Sequence, residues 1–342
     1  MGYRRYGIWL VFLAVPMMCL CGQDDPVFPP DPGNLVVRSE PFGASVEIDG
    51  SPVYADAGGT TPKVTPATLQ LPPGRYRVSV SLGGHEAFPA EIEAQVKENT
   101  ETSVAFCLRL TEPLVSRVVL VEHFGNVDCE PCGPAEIAIR DLQQAYGYDQ
   151  LVTLGYRTDW PYLFDALYQE NPDDHGERIL YYYVINAPTV FFDGSFAMLT
   201  PTQETLEAAI QLAFANPPHF SVEVRDTLSG TDYRVAASVT PVDCPLDNDV
   251  LIHFALVERE AQVSSPNTEE ETVYNVVRDL MPDASGEAFT PAYGETLTFW
   301  RSRSLDSGWD TDEIETVVFV QSLSSKEILQ AASTFNTTPA RR

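Results

Sequence analysis

The sequence predicts a multidomain chain in which an α/β unit, a central mixed sheet flanked by helices, lies between two all-β sandwich domains. Three observations carry this expectation. Short runs alternating apolar and polar residues, punctuated by turn residues, fill residues 34–110 and return over 219–336. Between them, Val118-Val119-Leu120-Val121 is the near-continuous apolar run of a strand buried on both faces. Ala135, Ile137, Ala138, Ile139, Leu142 and Ala145 then recur at roughly helical spacing, with Gly147 as a stop. At 342 residues, 44% hydrophobic and with 27 Pro, the chain is long enough for several cores and rich in turn punctuation.

Residues 1–21 read as an export signal. Arg4 and Arg5 precede the apolar run Ile8 to Val15, followed by Pro16-Met17-Met18-Cys19-Leu20-Cys21. The stretch from 22 to 33 is an acidic, Pro-rich linker. This arrangement resembles a lipoprotein processing site with a tether, which implies lipidation of Cys21, with Cys19 as the alternative. The mature protein is then expected on the periplasmic side of the envelope or at the cell surface, lipid-anchored, with the outer membrane preferred. An uncleaved membrane anchor is the competing reading.

Residues 34–110 form the first β unit, with turns at Asp49-Gly50, Pro73-Gly74 and Gly83-Gly84. The unit resembles a PEGA domain. The matching residues are Pro41-Phe42-Gly43-Ala44, with Phe in place of Glu, then Val46-Glu47-Ile48-Asp49-Gly50, Thr61-Pro62, Leu71-Pro72-Pro73-Gly74 and Tyr76-Arg77-Val78. The resemblance implies an extracytoplasmic spacer or a module that binds an envelope component. No catalytic cluster is visible in it.

Residues 115–216 hold the expected α/β unit and the candidate chemistry. Strand 117–124 leads into Asp128-Cys129-Glu130-Pro131-Cys132-Gly133, and the helix-like run follows. Leu151 to Tyr156 supplies a second strand. After a Pro-, Tyr- and Asp-rich insertion come Ala187-Pro188-Thr189, the strand Val190-Phe191-Phe192 and the turn Asp193-Gly194. Thr205 to Phe214 closes the series as a helix, with Leu206, Ala209, Ile210 and Ala213 on one face. A lone C-x-x-C fits a redox disulfide, half a zinc site or an inert bridge. Zinc is disfavoured: no second C-x-x-C or His pair stands at ligand spacing, and the five His are scattered. No metal ligand is therefore assigned.

The order of elements, with Cys129, Cys132 and Pro188, resembles a thioredoxin-like domain. That resemblance implies a redox-active disulfide needing no other cofactor. Cys129 is the expected nucleophile, Cys132 the resolving thiol, and Pro188 a cis-proline that presents the backbone of Ala187 to an incoming peptide. A helix N-terminus acidifies Cys129, whereas Asp128 and Glu130 disfavour its thiolate and argue against a strong oxidant. Pro131 matches reducing thioredoxins, which favours a reductase or isomerase. Two positions depart from the family. Asp128 stands where a Trp is usual, and His123 where a buried carboxylate is usual. His123 reads equally as a proton relay for Cys132 or as a polar residue capping a strand.

Residues 219–336 form the last unit, expected as an Ig-like β-sandwich beyond the boundary Asn216-Pro217-Pro218. Its strands are Phe220 to Val224, Tyr233 to Val239, Val250 to Val257, Thr296 to Trp300 and Thr316 to Val320. Asn267 to Glu271 is an acidic loop without the ligand pattern of a calcium site. Trp160-Pro161, Asp165, Tyr168, Asn171-Pro172, Arg178, Tyr181-Tyr182, Tyr274 to Arg278, Leu280-Met281-Pro282, Val317 to Gln321 and Lys326 to Ala331 resemble a family of bacterial envelope lipoproteins related to an outer-membrane protein. Cys107 and Cys244 fall in different β units, where a bridge needs interdomain contact, and they read as two buried free thiols.

A net charge of −28 argues against nucleic-acid partners, whose phosphates need cations. The function expected is an exported, envelope-tethered thiol-disulfide oxidoreductase whose partners are extracytoplasmic protein thiols and disulfides. The alternative is a non-catalytic surface-binding or structural lipoprotein that uses the fold as a scaffold.

Overall fold

Turn chemistry organises the N-terminal β unit. The computed structural model describes residues 29–111, 115–244, 249–264 and 271–336, so the export signal, Cys19, Cys21 and most of the acidic run 267–271 lie outside the described residues. Eight strands come first: β1 (Gly33–Glu40), β2 (Ser45–Ile48), β3 (Ser51–Pro52), β4 (Ala67–Leu71), β5 (Gly74–Ser81), β6 (His85–Phe88), β7 (Ile92–Val96) and β8 (Glu101–Leu110). They pair in the orders β4-β1-β8-β6 and β3-β2-β5-β7. Asp49 and Gly50 both take positive φ, the demand of a two-residue hairpin turn between β2 and β3. Alternate residues such as Leu35, Val37, Val46, Val78, Val80 and Phe106 point inward and form this unit's own core.

The middle of the chain contains β9 (Val119–Gly125), α1 (Cys132–Tyr146), β10 (Leu151–Arg157), α2 (Ala166–Glu170), α3 (Pro172–Tyr182), β11 (Thr189–Phe192), β12 (Phe196–Met198) and α4 (Gln203–Ala213). Helix α1 starts at Cys132, two residues before Pro134. In the first turn a missing N–H forfeits no helical hydrogen bond, so Pro134 is accommodated there. Gly147 ends α1 with positive φ. Helices α2 and α3 lie in the stretch read as an insertion. The Asp165 carboxylate accepts from the backbone N–H groups of Leu167 and Tyr168 to cap α2, and Asn171 with Pro172 at the first helical position caps α3.

The last part adds β13 (Phe220–Ser229), β14 (Asp232–Pro241), β15 (Val250–Val263), β16 (Glu271–Met281), β17 (Glu287–Phe289), β18 (Leu297–Ser304), β19 (Ile314–Ser322) and β20 (Ile328–Ser333). Strands β13-β14-β18 form one sheet. Its inner residues Phe220, Val224, Tyr233 and Val235 pack on Ile252, Phe254, Val318 and Val320 of the facing strands.

The expected fold class is corrected here. The described residues are mostly β, with twenty strands and four α-helices, and a central thioredoxin-like α/β domain between two separate sandwiches is not what they build. The architecture is a multi-sheet β-sandwich. Strands β9 to β12 run into a nine-stranded sheet of order β12-β11-β9-β10-β16-β15-β19-β20, with β17 beside β15. The junction is β10 against β16, through Gly155 and Val276. A side chain at Gly155 would meet the His123 imidazole and the Asn275 carbonyl, so glycine is what lets the strands close up. One core spans the join, uniting Leu120, Phe124, Leu154 and Tyr156 with Val257, Val277, Phe319 and Ile328. Strand β20 pairs with β19 at the far edge of this sheet.

A second correction concerns the remaining thiols. Cys107 at the end of β8 and Cys244 after β14 are joined in a disulfide, with Cα atoms 5.6 Å apart. The N-terminal unit leans on the C-terminal strands at this seam, where Arg109 also meets Asp243 at 3.5 Å.

Candidate functional site

The segment between β9 and α1 is held before any chemistry begins. Asn126, buried, donates from its side-chain amide to the carbonyls of Thr158 (2.7 Å) and Tyr162 (3.0 Å). The Val127 N–H donates to Asp165 (2.9 Å), so the residue that caps α2 also pins this loop. The Cys129 N–H donates to the Asn126 carbonyl, and the Cys132 N–H to the Cys129 carbonyl at 2.9 Å. Two cysteines so placed close a disulfide, with Cα atoms 5.3 Å apart.

The two cysteines differ in their surroundings. Both residues are buried, Cys129 at 5% and Cys132 at 3% exposure. Cys132 opens α1 and packs over Gly125 at the end of β9. Cys129 instead lines an open pocket of about 550 Å³, together with Asp128, Glu130, Glu136, Arg157, Tyr162 and Glu271 among others. Ile137 also lines it and is 45% exposed, so this apolar member of the helical pattern faces the pocket rather than the core. The Ala187–Pro188 peptide bond is cis. Thr189 pairs with Phe124 in antiparallel register, which brings Pro188 to the Gly125 end of β9, the end where Cys132 packs. Pro188 is buried and Ala187 half-buried.

Charge around the disulfide is dominated by carboxylates. Glu136, one helical turn beyond Cys132, pairs with the buried Arg157 guanidinium at 2.8 Å and also accepts the Tyr274 N–H at 2.6 Å. This ion pair was not anticipated. Its available signal was a carboxylate four residues after Cys132 and a lone Arg ending the next strand. Glu271, at the start of β16, has its carboxyl raised by burial and by the charge of Glu136. Glu130 is exposed and Asp128 half-buried at the rim.

His123 lies buried on the α1 side of the sheet. Its pKa is lowered to about 4, first by burial, with Glu136 opposing and Arg157 adding to the shift. The ring is therefore neutral at neutral pH, and its Nε2 has no hydrogen-bond partner. Cys107, Asp243 and Cys244 are the one cluster of potential metal donors among the described residues, and there the disulfide takes both sulfurs.

Comparison with known proteins adds to this geometry. Residues 32–111 match the PEGA domain. The match spans the eight-stranded N-terminal unit, so the disulfide pocket lies outside the PEGA region. No curated protein matches the sequence. Among solved structures, HBP35 of Porphyromonas gingivalis is similar with a TM-score of 0.56 at 13% identity, over 65% of this chain and 76% of that one. A protein of Agrobacterium tumefaciens gives 0.46 at 18% identity, over 64% and 94%. A domain of the outer membrane lipoprotein Omp28 from Porphyromonas gingivalis gives 0.23 at 10%, over 34% and 86%. At such identity the first likeness speaks to fold alone. No helix among the described residues is long and apolar enough to cross a membrane.

Proposed function

We propose that this chain is an exported, envelope-tethered thiol-disulfide oxidoreductase acting on extracytoplasmic protein disulfides, anchored by a lipid at Cys21. The observation that carries the reading is the asymmetry of the pair: the Cys129 sulfur belongs to a residue lining an open pocket, while Cys132 is covered at the head of a 15-residue helix. In the reduced form the Cys129 thiolate attacks one sulfur of a substrate disulfide. That bond breaks, and the departing substrate cysteine takes up a proton. The Cys132 thiolate then attacks the Cys129 sulfur, frees the second substrate thiol and closes the Cys129–Cys132 disulfide, so two electrons pass to the substrate. An exported dithiol reductant restores the pair. The helix N-terminus favours the Cys129 thiolate, and the neighbouring carboxylates oppose it. A reduced form without strongly stabilised thiolates suits a reductase or isomerase better than an oxidase.

A Cys132→Ser variant accumulates mixed disulfides with exported proteins through Cys129, and a Cys129→Ser variant accumulates none; non-reducing gels with mass spectrometry read both. A pair whose potential lies below any envelope reductant, with nothing trapped, would instead make the chain a surface-binding or structural lipoprotein, a reading favoured by the low exposure of both cysteine residues.

A further inference from the structure

The pocket beside Cys129 has a polarity that its redox chemistry does not require. Among the described residues four carboxylates line it: Asp128, Glu130, Glu136 and Glu271. The one cation among the described lining residues, Arg157, is engaged by Glu136 through both terminal nitrogens, at 2.8 and 3.3 Å, so its charge is matched within the wall. Burial does most to raise the Glu271 carboxyl, and the charges of Glu136 and Asp128 add to it against the opposing Arg157. Apolar surface is interleaved with the acids. Ile137, Pro134 and Val273 line the pocket, and Tyr162 on its wall opens an exposed apolar run, with Leu163 67% and Phe164 71% exposed.

We propose that this pocket selects polypeptides carrying a Lys or Arg side chain beside the reacting cystine, an inference that rests on the exchange activity proposed above. The aliphatic stem of such a side chain suits Ile137 and Val273, and its charged head suits Glu130 and Glu271. Tyr162, Leu163 and Phe164 offer a shelf for an apolar neighbour in the same segment. A whole-chain charge of −28 further repels anionic partners during encounter.

The test uses the reduced full-length chain and two synthetic peptides with the same intramolecular disulfide, one with Lys and one with Glu flanking its cysteines. The Lys peptide is expected to be reduced about tenfold faster at low salt, an advantage that shrinks as salt is added. A Glu130→Gln/Glu271→Gln variant should lose most of it. Equal rates for both peptides overturn the selectivity and leave exchange standing. Failure to reduce either peptide overturns both. Independently of turnover, Ser-for-Cys versions of the peptides are titrated against the oxidised chain by fluorescence anisotropy; the Lys version should bind more tightly, and equal affinity refutes the proposal.

Discussion

Arg157 is 1% exposed, and the carboxylate paired with it belongs to Glu136, which also accepts the backbone N–H of Tyr274. Removing one partner of a buried pair strands the other charge, at a cost of about 3 to 5 kcal/mol. Glu136→Gln is therefore expected to lower stability by that order in urea denaturation, although the substitution keeps the shape of the side chain. The cysteines and Pro188 were legible in the sequence, because a C-x-x-C between an apolar run and a helical pattern is local information. The Glu136–Arg157 pair was not, since its partners lie 21 residues apart and meet only where α1 crosses β10. The same holds for Ile137: spacing put it on the helix, and only the packing of α1 decided that it faces the pocket.

At the scale of elements, strand β19 carries a buried carboxyl at Glu315, held by the Ser333 hydroxyl of β20 at 2.7 Å. Burial pushes its pKa up to about 7 from the usual 4.5. Its folded-state pKa is raised, so the stability it contributes is fully present below pH 4.5 and is lost as pH rises through 7. Glu315→Gln should consequently flatten the fall in stability between pH 5 and pH 8, measured as urea midpoints. Two buried imidazoles act in the opposite sense. His123, lowered to about 4, and His175, lowered to about 3, are both neutral in the fold chiefly because they are buried. Their contribution is present above pH 6.5 and is lost as pH falls through those values, so the variant should keep the wild-type acid limb.

Several elements were readable from periodicity, among them β9, β10, α1 and α4. Others were not. Strand β16 buries Asn275, Val276, Val277 and Arg278 in succession, and Asn275 takes positive φ, so no clean alternation survives in its sequence. Helix α3 did carry a signal in Asn171-Pro172-Asp173, a capping residue followed by proline and acid, within a stretch that composition marked as irregular.

In the whole molecule, the N-terminal unit keeps its own core, and the Cys107–Cys244 disulfide ties it to the rest across 137 residues of sequence. Closing so long a loop restricts the unfolded chain by about 5 kcal/mol in the chain-entropy account. With the disulfide intact, urea unfolding is expected as one merged transition. In a Cys107→Ser/Cys244→Ser variant the N-terminal unit should melt separately and earlier, resolved by tryptophan fluorescence against far-UV dichroism. A single unchanged transition in the variant would show that noncovalent contacts at the seam suffice.

By itself, the sequence determined the local facts: where strands and helices start, which residues turn the chain in the PEGA region, and that two cysteines meet the head of a helix. Each of these depends on neighbours within a few positions. The tertiary structure alone decided that β10 continues into β16, making a multi-sheet β-sandwich of what the pattern promised as a separate α/β domain. It also decided that Cys107 pairs with Cys244 and that carboxylates from α1 and β16 gather beside Cys129. Alternation tells which faces of a strand are apolar. Which edge pairs with which depends on contacts far apart in the chain, and no local pattern encodes them.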